Sequence, residues 1–424
     1  MDGFTPLSFA AQEGHLEICA FLIKNIDNKN PEQNNGWTPF HHAARKGRLE
    51  VCKLMLNNID NKNPGDKIGL TPLHLASKYA HLEVCAAIIM HCGNKNPVDN
   101  HGFTPFHEAA FCGHLKVCRL LIHNVDDKNH ATNDGYTALH LAAVKGHLDI
   151  CQLLIENIVN KNPENNNGFT PLHAAAQRGH LEICRLLIQN IDDKNPSNNG
   201  STPFLMAAEN GYLEICQLFL ENLDNKNPQD VNGWTPLHYA AQHGHLEICA
   251  AIMNVLVEKN PGKNDGWTPL HSAAFTGHLE ICRFMIGNLS NKHPRRNNGA
   301  TPYHYAASSG HLEVCNLLME DLDNKNPSDN NGMTPLHIAA RTGHLNVFRE
   351  IIQHLDDINP IDNFGWTPLH YASYFGHLEL CKLFIEKVED LNPCTNKGET
   401  PIYLANDRNN RAIISLLRLA QIKN

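Results

Sequence analysis

Residues Gly233–Ala250 read GWTPLHYAAQHGHLEICA. Three histidines (His238, His243 and His245) and Cys249 crowd this stretch, and His245 and Cys249 stand four apart, on one face of a helix. Taken alone it looks like a metal site, because imidazole and thiolate are the usual ligands of zinc. Placed beside the rest of the chain it is one copy of a repeat. A Gly-x-Thr-Pro/Ala element opens at Gly3, Gly36, Gly69, Gly102, Gly135, Gly168, Gly200, Gly233, Gly266, Gly299, Gly332, Gly365 and Gly398. The step is 33 residues, except for 32 between Gly168 and Gly200. Structural zinc wants four ligands around one point, and ligands repeating at that interval cannot converge. No metal and no cofactor is expected.

Elementary helix chemistry explains one copy. Thr235 can cap a helix with its hydroxyl, and Pro236 fits the first helical position, where a missing N–H costs nothing. Leu237, Ala240 and Ala241 form an apolar stripe whose small alanines let neighbouring helices approach closely. Gly244 stops this helix, since glycine accepts the left-handed conformation common just past a helix end. A second helix from His245 puts Leu246, Cys249, Ile252 and Met253 on one face. EKNPGKNDG (residues 258–266) then reads as a turn and an extended hairpin, with Pro261 pushing Asn260 toward the extended conformation. Two short helices and a hairpin cannot bury a core alone, whereas stacked copies can.

A fixed 33-residue period carrying TPLHxAA resembles the ankyrin repeat over essentially the whole chain. The resemblance implies an all-α repeat solenoid with β-hairpin loops, a stack of helix-turn-helix-hairpin units. The copies are expected at 1–33, 34–66, 67–99, 100–132, 133–165, 166–197, 198–230, 231–263, 264–296, 297–329, 330–362, 363–395 and 396–424, the last serving as C-terminal cap. It also implies a non-catalytic scaffold or adaptor that binds a protein partner on a concave face of hairpin tips and first helices. The alternative is the recognition arm of a larger ankyrin-bearing channel or kinase, an expectation kept by a first copy that begins within its hairpin and carries Phe4 and Phe9 with nothing before them. The last copy, with Asp407, Arg408, Arg411 and Arg418 in its helices, reads as a polar cap. The sequence departs from the family where the second helix usually ends in glycine. Ile26, Ile59, Val125, Ile158, Ile191, Leu223 and Leu256 stand there, often after an asparagine, so the hairpin is less firmly implied than the helices. The seventh copy is one residue short and has Leu205 and Tyr212 where histidines recur, which predicts a local change of curvature.

Composition narrows the partners. The 424 residues include 35 basic and 44 acidic ones, a formal charge of −9, which argues against general attraction to nucleic acid. No apolar run approaches a membrane span, and MDGFTPLSFA lacks the pattern of a signal peptide, so no membrane insertion is expected. Fourteen cysteines without a secretion signal indicate a reducing compartment, the cytoplasm, with the nucleus left open. No P-loop, dinucleotide-binding glycine pattern, HExxH or nucleophile elbow occurs, and no catalytic residue is expected.

Eleven cysteines share one repeat position: Cys19, Cys52, Cys85, Cys118, Cys151, Cys184, Cys216, Cys249, Cys282, Cys315 and Cys381, with Phe348 in the eleventh copy. Stacked helices lie roughly 8–10 Å apart, while a disulfide needs Cα atoms within about 7 Å. The ladder therefore reads as buried thiols used as small core residues. Ten histidines sit in the TPxH or TALH position and ten more follow the end of the first helix, each expected to offer a ring nitrogen to nearby backbone.

Two columns are candidate binding residues. The residue after the hairpin glycine is aromatic in Phe4, Trp37, Phe103, Tyr136, Phe169, Trp234, Trp267 and Trp366, which include all four tryptophans of a chain only 7% aromatic. These rings are either interface anchors or packing against the neighbouring hairpin. A second column between the histidine and the alanines varies freely: His42, Leu75, Glu108, Tyr239, Ser272, Tyr305, Ile338 and Tyr371. Such variation reads either as specificity or as neutral drift. Finally, the family's asparaginyl hydroxylase favours a leucine, an acidic residue and an asparagine in the hairpin. Leu121, Asp127 and Asn129, and likewise Leu187, Asp193 and Asn195, match that layout, making Asn129 and Asn195 candidate modification sites.

Overall fold

The structure is a computed structural model that describes residues 3–423. Its 26 helices come as pairs that recur along the chain. Pro105–Cys112 and Leu115–Ile122 make one such pair, and Pro236–His243 and Leu246–Val255 another. The described residues form two compact units. One runs to Met206 and includes Glu221–Leu223, and the other comprises Ala207–Leu220 and the chain from Asp224. Within each unit the first helices, from Pro6–Glu13 to Pro171–Arg178 and from Pro236–His243 to Pro401–Asp407, pack on those of adjacent copies, more closely than second helices pack on one another. Fully buried alanine pairs such as Ala43–Ala44, Ala109–Ala110 and Ala273–Ala274 make that approach possible. Each unit is thus an all-α repeat solenoid whose core is a strip of alanines, leucines and thiols running between the two helix rows.

TPLH is a capping box with histidine in the place usually held by glutamate or glutamine. In Pro236–His243 the amide of His238 donates to the Thr235 hydroxyl at 3.4 Å, while the Thr235 amide donates back to His238 Nδ1 at 3.3 Å. Leu205 in the seventh copy keeps only the first half, its amide reaching the Thr202 hydroxyl at 3.3 Å. At the far end, Gly113 has φ +81°, and an added Cβ would lie 2.7 Å from the His147 ring of the next copy. Glycine is required there both for backbone conformation and for space. Ala80 holds the same position with φ +62° and bears the strain that glycine avoids.

The NKNP loop is capping chemistry as well. Its second asparagine accepts from the amide of the second residue of the following helix: Asn63 from Leu73 at 3.0 Å, Asn162 from Leu172 at 3.3 Å, Asn326 from Leu336 at 3.1 Å. Its lysine serves the preceding helix, Lys325 donating to the carbonyls of Met319 and Glu320. One loop thereby satisfies orphan groups of two helices.

The expected β-hairpins are reduced to turns, and among the described residues only the isolated bridges Ala131↔Thr137 and Asn198↔Ser201 occur. A side chain replaces the second ladder bond. The Asp99 amide donates to the Phe103 carbonyl at 2.9 Å, but the Phe103 amide donates to the Asp99 carboxylate at 2.8 Å instead of to its carbonyl. Asp66, Asn165, Asp230, Asp329 and Asp362 do the same. Between copies the tips are tied by an asparagine ladder. Asn133 Nδ2 donates to the Asn100 carbonyl at 2.9 Å and Asn166 Nδ2 to the Asn133 carbonyl at 2.8 Å. In the second unit Asn297, Asn330, Asn363 and Asn396 each reach the carbonyl 33 residues earlier.

Candidate protein-binding face

The histidines that resemble metal ligands are bound to backbone. His238 accepts from the Thr235 amide at Nδ1, so its Nε2 carries the proton and donates to the Trp267 carbonyl at 3.1 Å. The same pair of partners recurs for His41, His74, His140, His173, His271, His304, His337 and His370, while His107 Nε2 donates instead to the carbonyl of His130 in its loop, at 3.0 Å. Burial holds His41, His107, His140, His173, His238 and His304 down at about 4, and the carbonyl each one faces only partly offsets this. The second histidine column reaches the preceding copy: His147 Nε2 donates to the Phe111 carbonyl at 3.1 Å and His245 Nε2 to the Glu209 carbonyl at 3.1 Å. His243 is exposed. Of the three histidines of the opening stretch, only the rings of His243 and His245 lie near each other, stacked at 6.4 Å, while His238 is buried under the next copy's loop. Among the described residues no group of three His, Cys, Asp or Glu side chains is arranged to hold a metal ion.

The cysteine ladder is buried throughout, and all fourteen thiols are free. Burial pushes Cys85, Cys151, Cys184, Cys249, Cys282 and Cys381 up to about 12, so none supplies a thiolate near neutral pH. Phe348, which takes the ladder position in the eleventh copy, packs edge-on to Phe384 with centroids 5.0 Å apart.

Trp37, Phe103, Tyr136, Phe169, Trp234, Trp267 and Trp366 are all half-buried. Each lies against the TPxH or TALH histidine of its own copy rather than simply on the next hairpin. Phe169 stacks on His173 at 5.2 Å and Trp37 on His41 at 5.9 Å, with the other five rings at 5.5–6.0 Å from theirs. Each ring thereby covers part of its capping box, and several are covered from another side as well, Trp267 by Tyr305 at 4.7 Å and Trp234 by Lys263 at 4.5 Å. The variable column is tied down from the opposite side. His42, Leu75, Ser272 and Ile338 are buried, and Glu108, Tyr239, Tyr305 and Tyr371 are half-buried. Most of its polar members pair with the residue nine positions earlier, at the base of the same loop. Gln33 contacts His42 at 2.6 Å, and the Tyr239 and Tyr371 hydroxyls donate to Asp230 and Asp362 at 3.1 and 2.8 Å. In the tenth copy Arg296 binds the Tyr305 hydroxyl and Asp265, with its guanidinium 5.1 Å above the Trp267 ring. Variation in this column therefore follows a partner inside the copy for His42, Tyr239, Tyr305 and Tyr371, whereas Glu108 pairs with Lys78 of the preceding copy.

A set of exposed rings that sequence reasoning passed over stands at the ends of the first helices. Phe111, Tyr79, Phe275 and Phe375 are 38%, 42%, 46% and 50% exposed. Their signal is legible in retrospect: the last two helical positions differ from copy to copy while the neighbouring alanines do not. Asn129 and Asn195 are half-buried in their loops. Asn195 accepts from the Phe204 amide at 3.1 Å, whereas Asn129 forms no such bond to the following helix among the described residues.

The family model described as ankyrin repeats (3 copies) matches in overlapping windows: 1–64, 58–132, 123–198, 189–260, 204–296, 250–328, 288–362, 321–393 and 354–423. No curated protein matches the chain. No helix among the described residues is long and apolar enough to cross a membrane.

Proposed function

Since the chain belongs to the ankyrin-repeat family, whose repeats are generally protein–protein interaction modules, we propose that it is a non-catalytic cytoplasmic scaffold. Its protein partner lies on the face made by the loop tips and the first helices. The observation that carries this reading is the exposed rings at the ends of the first helices within each unit, Tyr79 and Phe111 in the first and Phe275 and Phe375 in the second. Exposed aromatic rings on a rigid support are favoured contacts in protein interfaces. Within each unit the half-buried rings of Trp37, Phe103, Tyr136, Phe169, Trp234, Trp267 and Trp366 add apolar surface to that face, with His42, Tyr239, Tyr305 and Tyr371 against the tryptophans and Glu108 in the same column. Absence of chemistry is supported by the engagement of both ring nitrogens of the capping histidines and by the burial of the thiol ladder. The test is comparative capture from native cells by quantitative mass spectrometry, with wild type and F275E/F375E as baits. A partner lost from the variant, with helicity unchanged, is expected. Identical sets of bound proteins would sink the proposed face.

A further inference from the structure

Five consecutive first helices of the first unit differ in charge from their counterparts in the second. Of Pro39–Arg45, Pro72–Lys78, Pro105–Cys112, Ala138–Lys145 and Pro171–Arg178, four end on a base, Arg45 (with Lys46 beside it), Lys78, Lys145 and Arg178, while Pro105–Cys112 ends without one and holds the single acid, Glu108. The five in the second unit, Pro236–His243 through Pro368–Phe375, carry Arg341 as their one charged residue besides histidine. Basic residues complement the negative end of a helix, but four of the five helices in the second unit end without one, so helix stability does not demand them. An acidic chain has here collected the opposite sign in one row.

Arg45, Lys46, Lys145 and Arg178 are exposed and, among the described residues, pair with no carboxylate, while Lys78 is held by Glu108 at 3.3 Å. Aromatic rings alternate with them. The Arg45 guanidinium stands 5.6 Å above both Trp37 and Tyr79, and Lys145 Nζ lies 4.4 Å above Phe111. Beside Arg178 opens a groove of about 520 Å³, walled by Phe103, Tyr136, Leu141, Val144 and Phe169. We infer that this face binds an extended acidic peptide segment, its carboxylates on Arg45, Lys145 and Arg178 and one large apolar side chain in the groove.

The loop tips select against a uniform polyanion. Asp66 and Asp99 stand above the row with their carboxylates turned onto their own loop amides, and Asp134 lines the groove itself. A phosphate backbone carries a charge at every step and meets these acids. A peptide can place an apolar or neutral residue opposite them. The inference rests on the scaffold reading and adds the chemistry of the partner.

Peptide-display selection on the full chain tests it, with a single-stranded oligouridylate as the rival ligand. Selected peptides should be enriched in Asp and Glu around a Leu, Phe or Trp. The best peptide should lose about tenfold or more in affinity on R45E/K145E/R178E, and less on R45Q/K145Q/R178Q, with binding weakened by salt. Enrichment of neutral or basic peptides, unchanged binding by both variants, or tighter binding of oligouridylate at the same residues would overturn it. Peptides insensitive to these charges but lost on F275E/F375E would refute this face and leave the scaffold reading standing. Failure to enrich any peptide would count against both.

Discussion

At the scale of single residues, the molecule shows how context decides what a histidine, cysteine or asparagine does. His238, read with its three neighbours, suggests zinc, whereas read with its copies it is the reciprocal half of a helix cap. The loop asparagines carry the same lesson toward modification. Asn195 Oδ1 accepts the Phe204 amide, so presenting its side chain to an enzyme costs the cap of the next helix, of order 1 kcal/mol. Asn129 has no such bond to release, and its loop has His130 in place of the proline that stiffens the others. If the hydroxylase suggested by the family acts on this chain, Asn129 should be modified to a clearly higher level than Asn195. Peptide mass spectrometry of natively expressed protein measures both sites at once, and greater occupancy at Asn195 would contradict the capping argument.

At the scale of the element, the helices were legible from spacing and capping residues alone, because proline, alanine pairs and terminal glycines act locally. The hairpins were not, because whether the Phe103 amide bonds a carbonyl or the Asp99 side chain is decided by one carboxylate and leaves no trace in residue spacing. The binding columns were half legible. Recurrence marked Trp37 and its equivalents, but no pattern along the chain reveals that each ring lies on its own capping histidine, or that Tyr239 answers to Asp230 nine residues earlier. The helix ends offer a paired test. Ala80 sits at φ +62°, so A80G should stabilise the protein by about 0.5–1 kcal/mol, the relief of left-handed strain less the entropy that glycine adds to the unfolded chain. G113A should do the reverse, costing at least about 1–2 kcal/mol from its φ of +81° alone and more from the displaced His147 ring. Urea denaturation compares the two variants. A loss on A80G would place the strain elsewhere.

At the scale of the whole molecule, ten capping histidines make the protein sensitive to acid. Their folded pKa lies below the ordinary 6.5, at about 4 for His41, His107, His140, His173, His238 and His304. Between those values the unfolded chain binds more protons than the folded one, so stability is complete above pH 6.5 and drains away as pH falls toward 4. Each histidine in the cooperatively unfolding block removes up to about 1.4 kcal/mol per pH unit in that window. The thermal midpoint should therefore drop steeply between pH 6.5 and 4.5 and stay nearly flat from 7 to 8, as calorimetry across that range would show. A flat profile down to pH 4.5 would mean the rings are not held neutral. The bonds between copies have one further property. Asn133 reaches the carbonyl 33 residues before it and His147 the carbonyl 36 before it, and neighbouring copies repeat both spans. Removing residues 100–132 would hand Asn133 the Lys67 carbonyl that Asn100 now uses, and His147 the Lys78 carbonyl that His114 now uses. Such a protein should fold with a modestly lower midpoint in circular dichroism, having lost one interface, whereas an excision a few residues shorter should lose cooperative folding. Length in this chain is quantised: unequal crossing-over between two regular copies yields a seam in which the asparagine and histidine donors meet equivalent carbonyls, so the array can grow or shrink by whole copies without passing through an unfoldable intermediate.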